Sequence, residues 1–111
     1  MKDLGGYKTI KGQYRAGVLD GVAFVKSKDP ENTYKYEGFM KKGVFEGIGL
    51  ETSSSSTYFG YFQAGKKHGI GLTKSSNHCS YLGHWNRGQK DGFGMEHFEN
   101  CDMYIGEFQQ D

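Results

Sequence analysis

The chain has 111 residues, 35% of them apolar and 15% aromatic, with 18 glycines against a single proline. That length suits one ordinary domain, and the low apolar share makes a thick two-layer core hard to fill. A formal net charge of +1 gives no global pull towards nucleic acid or an anionic membrane, so either would need a local patch. No apolar run reaches the length of a membrane-spanning helix. Met1-Lys2-Asp3-Leu4 lacks the apolar stretch of a signal peptide, so a cytoplasmic setting is the expectation. Cys79 and Cys101 are the only cysteines, too few for a disulfide framework.

Glycine-rich chains are often disordered. Disordered chains rarely carry this many aromatics, so the glycines are expected to serve a regular structure. Their spacing repeats along the chain. Gly12, Gly17 and Gly21 come first, with Ala23 where a fourth glycine belongs. After a stretched connection from Ser27 to Lys35, Tyr36-x-Gly38 is followed by Gly43, Gly47 and Gly49. Tyr58-x-Gly60 is followed by Gly65, Gly69 and Gly71, and Tyr81-x-Gly83 by Gly88, Gly92 and Gly94. The steps are five, four and two in all three copies. Tyr104, Gly106 and Phe108 open one more. The chain therefore reads as a single array over 1–111. It has a degenerate repeat near 10–26, repeats at 36–57, 58–80 and 81–103, and an incomplete one at 104–111.

Each copy reads as a β-hairpin. Side chains alternate faces along a strand, so Tyr58, Gly60 and Phe62 share a face, as do Tyr81, Gly83 and Trp85. The glycine leaves a gap that neighbouring rings cover. In the second strand Ile48 and Leu50, Ile70 and Leu72, and Phe93 and Met95 alternate with glycines. Gly43, Gly65 and Gly88 fall between the strands, where a tight turn needs positive φ. Ser53 to Ser56, Ser75 to Asn77 and Glu99 to Asp102 supply the return turns. One such hairpin is marginal alone, whereas stacked hairpins bury each other's faces. The predicted fold is all-β, an elongated, twisted, single-layer antiparallel sheet built from consecutive hairpins.

The segment Tyr81-Leu82-Gly83-His84-Trp85-Asn86-Arg87-Gly88-Gln89-Lys90-Asp91-Gly92-Phe93-Gly94 and its two closest counterparts resemble the MORN repeat (membrane occupation and recognition nexus). The resemblance runs from about Ile10 to Phe108, with departures at Ala23, at the Ser27–Lys35 connection and at Met40, which stands at an aromatic position. It implies a scaffold or membrane-to-cytoskeleton linker, or a regulatory region beside an enzyme domain such as a lipid kinase or methyltransferase. It also implies a cytoplasmic location at the cytoskeleton or on the cytoplasmic side of a membrane.

Catalytic chemistry has no signature here. His68, His78, His84 and His97 are joined to no nucleophile by a recognisable motif, and a single-layer sheet shields little. Gly69-Ile70-Gly71 lacks the lysine and following helix of a phosphate loop. His78-Cys79 and His97 with Cys101 lack the paired spacing of a zinc site. The expectation is no enzyme activity, no cofactor and no metal. The one-residue offset of Cys79 and Cys101 from their repeat glycines sets them on opposite faces, badly aimed for a disulfide.

Two surfaces are candidates for binding. The first is the aromatic face, Tyr14, Tyr36, Tyr58, Phe62, Tyr81, Trp85, Tyr104 and Phe108, suited to a partner helix or extended peptide. The same rings serve equally to cover the glycines. The second is the turn rim, Lys41, Lys42, Lys66, Lys67, His68, Arg87 and Lys90, which would meet anionic phospholipid or simply keep the sheet soluble. The opposite rim reads as neutral to acidic, with Asp29, Glu31, Glu99 and Asp102. The leading expectation is a protein-interaction scaffold, with a peripheral membrane module or an enzyme's regulatory fragment as alternatives. Nucleic acid is not expected. The strand Tyr104 to Gln110 is expected to offer an edge for homodimer formation.

Overall fold

The computed structural model describes residues 7–27, 33–100 and 102–109, the first four of these by backbone alone. Nine strands follow one another: β1 (Tyr7–Arg15), β2 (Val18–Ser27), β3 (Lys35–Lys41), β4 (Val44–Thr52), β5 (Ser56–Gln63), β6 (Lys66–Ser75), β7 (Ser80–Asn86), β8 (Gln89–His97) and β9 (Met103–Phe108). They form one open antiparallel sheet in chain order. The described residues contain no helix. Extents of 47 × 28 × 17 Å match nine strands at roughly 4.8 Å spacing in one layer with side chains on both faces. The expected elongated single-layer hairpin array is the observed fold.

Three different demands generate the glycine spacing. Each hairpin closes on two residues with positive φ, Ala16-Gly17, Lys42-Gly43, Ala64-Gly65 and Arg87-Gly88. This is the type I′ geometry, whose twist suits the flanking strands. Four residues on, the backbone bulges. Gly38 opposes Gly49 while Met40 opposes Phe45, so one strand carries two more residues than its partner, and Gly47 absorbs the kink at φ 86°. Two residues further, Gly49 faces Gly38 across the ladder, with the Tyr36 ring laid over both. The β5–β6 and β7–β8 hairpins repeat the bulge. Sequence spacing alone marked the turn glycines but did not separate the bulge glycine from the close-approach one. In the first hairpin Gly12 opposes Ala23. There Leu19 lies over Gly12, and the methyl of Ala23 is accommodated.

Ala64 and Arg87 occupy a left-handed conformation at φ 52°, which costs an L-residue with a Cβ about 1–2 kcal/mol and asparagine less. Ala64 is exposed. Ala64→Asn is therefore expected to stabilise the chain by about 0.5 kcal/mol, raising Tm by roughly 3 °C. A lowered Tm would contradict the turn assignment.

Neighbouring hairpins are tied together at their tips. The turn glycine donates its N–H to a carbonyl of the preceding hairpin: Gly43 to Leu19 at 2.8 Å, Gly65 to Phe45 at 3.0 Å and Gly88 to Lys67 at 2.9 Å. Asp20 and Glu46 carboxylates accept from the Lys42 and Ala64 N–H groups. The buried side chains are Leu19, Ala23, Val25, Tyr36, Met40, Tyr58, Phe62, Tyr81 and Trp85. By strand register they all lie on one face.

Candidate functional site

The aromatic face is a closed zipper. Each repeat's tyrosine lies over its glycine pair and donates its hydroxyl to a carbonyl three residues on: Tyr36 to Phe39 at 2.6 Å, Tyr58 to Tyr61 at 2.8 Å, Tyr81 to His84 at 2.9 Å and Tyr104 to Glu107 at 3.0 Å. In the last three repeats the second aromatic wedges edge-on between its own tyrosine and the preceding one. Phe62 meets Tyr58 and Tyr36 at 5.1 and 5.2 Å between centroids. Trp85 meets Tyr81 and Tyr58 at 5.2 and 5.5 Å. Phe108 meets Tyr104 and Tyr81 at 5.2 and 4.8 Å. Trp85 also donates from Nε1 to the Gly71 carbonyl.

Burial raises the tyrosine pKa values. Desolvation acts first on Tyr58, then the negative charge of Glu51, and together they push it up to about 12. Tyr36 is raised for the same reasons, with Glu46 adding to them. Tyr81 is raised by burial and by Glu96.

This placement bears on both sets of candidate residues. Tyr36, Tyr58, Phe62, Tyr81 and Trp85 are buried against one another, while Phe108 is half-buried and Tyr104 and Tyr14 are exposed. Among the rim cations, Lys41, Lys42, Lys66 and Arg87 are exposed. Lys67 and Lys90 instead turn onto the aromatic face. The position that holds Phe45 stacked on Tyr36 at 3.8 Å holds Lys67 in the next repeat, its Nζ 5.4 Å from the Tyr58 ring and 5.3 Å from Trp85. Lys90 sits likewise over Tyr81 and Phe108. Glu51 and Glu96 balance these charges at 3.9 and 3.2 Å. Cation–π contact replaces an aromatic stack, and His68 is half-buried beside it.

The other face is open. Register places Val22 with Phe39, Ile48 with Tyr61, Leu50 with Phe59, Leu72 with Leu82, Ile70 with His84, Phe93 with Glu107 and Met95 with Ile105. These side chains form two rows across the strands. Phe59 is 52% exposed, Phe93 65% and Ile105 71%, against 7% or less for Tyr36, Tyr58, Phe62, Tyr81 and Trp85. Sequence periodicity showed that Ile48, Leu50, Ile70 and Leu72 oppose the glycines. It could not show that nothing among the described residues covers them. Near β1–β3 the face deepens into a depression of about 560 Å³ lined by Lys11, Gln13, Val22, Phe24 and Glu37.

Among the described residues no three His, Cys, Asp or Glu side chains come together as a metal site, and no helix is long and apolar enough to cross a membrane. Cys79 is partly exposed before β7. Cys101, Asp29 and Glu31 lie outside the described residues, and with them the cysteine-face expectation and half of the expected acidic rim. Comparison with curated proteins gives no significant match. The family model for the MORN repeat matches three times, at residues 36–57, 58–80 and 81–100, more than half of the chain. MORN repeats are commonly protein or membrane interaction modules. With one hairpin per match and the same tyrosine-over-glycine joint in each, the chain belongs to the MORN-repeat family.

Proposed function

We propose that this chain is a non-catalytic interaction scaffold, working in the cytoplasm, that docks a segment of a partner protein on its open apolar face. The observation that carries this reading is the continuous exposure of Phe39, Phe59, Tyr61, Ile70, Leu82 and Phe93 on one side of a sheet one layer thick. A contiguous apolar surface of this kind marks an interaction site on a folded domain. The aromatic zipper supports the module from behind. Its largest rings are spent on each other and on the glycines, which leaves the opposite rows as the available apolar area.

Affinity capture tests this with Phe59→Ser/Leu82→Ser beside the parent chain. Both side chains are solvent-exposed, so the double variant should lose little stability, on the order of 1 kcal/mol. Its Tm should stay close to the parent's while partner capture is lost. A Lys42→Ala control should capture normally. Equal capture by parent and double variant would place the binding surface elsewhere.

A further inference from the structure

The charges around the open face are sorted. Register puts Lys26 opposite Lys35, Thr52 opposite Thr57, Lys74 opposite Ser80 and His97 opposite Met103, all along the return-turn side of the apolar rows. Along the hairpin-tip side the same face carries Arg15, Lys41 and Lys66 with Val18, Val44, Gln63, Asn86 and Gln89. Neither flanking row contains a carboxylate. Glu51 and Glu96 stand against the zipper lysines, Asp20 and Glu46 under the turn N–H groups, Asp91 accepts from Asn86 of the tip-side row at 3.4 Å, and Glu37 and Glu107 lie within the apolar rows. Among the described residues, Lys26, Lys35, Lys41, Lys66 and Lys74 have no carboxylate within ion-pair distance, whereas Arg15 has Asp20 at 3.6 Å. The net charge of +1 hides this segregation.

Resting on the docking reading above, we infer that the occupant is an acidic amphipathic helix. It lies across the strands with its apolar stripe on the two exposed rows and carboxylates along both sides of the stripe. The dimensions agree. From β2 to β9 there are seven interstrand steps, roughly 34 Å, which a helix of about 22 residues covers. Two rows of side chains make a band about 7 Å wide, the width of a single helix's apolar stripe. Lys35 and Lys41 are six residues apart on β3, so the cationic flanks stand roughly 20 Å apart. A helix about 10–12 Å thick, with glutamates reaching outwards on each side, fits between them. Glu37 and Glu107 are exposed within the apolar rows; a helix can set a basic residue opposite each, whereas an anionic bilayer presents phosphate throughout.

The test uses three probes against the full chain: a fluorescent 22-residue peptide with a leucine stripe flanked by glutamates, the same stripe flanked by lysines, and phosphatidylserine vesicles. The glutamate-flanked peptide should bind, and at least about tenfold more tightly than the lysine-flanked one at low salt. Lys35→Glu/Lys41→Glu/Lys66→Glu/Lys74→Glu should reverse that preference while Tm and the β-sheet circular dichroism persist. Phe59→Ser/Leu82→Ser should weaken both peptides. Equal binding of the two peptides, with sensitivity to the serine variant, would overturn the charge assignment and leave the docking reading standing. Binding indifferent to the serine variant would overturn both. Vesicle binding without peptide binding would overturn the helix in favour of a membrane surface.

Discussion

Gly83→Val is expected to cost about 4 kcal/mol or more and to unfold the repeats that meet at β7. A Cβ on Gly83 would stand 2.5 Å from the Gly94 Cα, 2.6 Å from the Tyr81 hydroxyl and 2.7 Å from the Phe93 carbonyl. Two of those three atoms are backbone, and the third is fixed by its hydrogen bond to His84. Valine adds two further methyls. The ring of Tyr81 must leave, and with it the edge contacts to Trp85 and Phe108. Overpacking, a lost buried hydrogen bond and a displaced aromatic act together here. Gly88→Ala separates crowding from conformation, because nothing lies within 4 Å of its added Cβ and only its φ of 85° is strained. It should cost about 1 kcal/mol. Lys66→Ala, on an exposed lysine without an ion pair among the described residues, should cost roughly 0.5 kcal/mol or less. Urea denaturation of the three variants gives the ranking. Equal stability of Gly83→Val and Lys66→Ala would remove the account of why these strands approach so closely.

The fold was legible because its constraints are local and repeated. Turn, bulge and glycine pair recur at fixed offsets from each tyrosine, so Tyr58 and Gly60 announce the same hairpin as Tyr81 and Gly83. The order of strands followed from the shortness of the connections, the Ser27–Lys35 stretch excepted. Which face would be open was not legible. Tyr36 to Trp85 and Phe39 to Phe93 are equally apolar, and period two says only that they lie on opposite sides. What decides is that Gly38 and Gly49 let the Tyr36 ring lie flat, leaving room for Phe62 to wedge in from the next hairpin. Phe59 and Tyr61 project from strands with no such recess behind them.

The charges were legible only in part for a related reason. Lys67 and Lys90 fall in the rim segments of the sequence, but a bulge separates the two strand halves and sends them onto the rings. Lys26, Lys35 and Lys74 carry no motif. They become a row only when antiparallel pairing sets residues far apart in the chain side by side.

Raising the pH from 9 to 12 should unfold the chain cooperatively, with buried tyrosines supplying much of the effect. A phenol is charged when it loses its proton. Burial, reinforced by Glu51, holds the Tyr58 proton until about pH 12, whereas an unfolded tyrosine releases it near 10. The folded pKa lies above the unfolded one, so stability is complete below about pH 10 and falls as pH rises towards the folded value. Between the two, each such tyrosine removes about 1.4 kcal/mol per pH unit. Tyr36 and Tyr81 shift in the same direction. By about pH 12 the combined loss reaches the lower end of the roughly 5–15 kcal/mol that stabilises a small domain. Tyr58→Phe isolates one contribution. At neutral pH it should be less stable by about 1 kcal/mol, through loss of the 2.8 Å hydrogen bond to the Tyr61 carbonyl. Above pH 10 it should lose stability less steeply, by one proton, so its curve meets that of the parent near pH 11. Lysine titration is common to both chains and cancels in the comparison. Denaturant melts at half-unit pH intervals, with phenolate absorbance followed in parallel, give both slopes. Parallel stability curves, or nearly full phenolate absorbance at pH 11 with the sheet intact, would show that these hydroxyls are not held in the folded zipper.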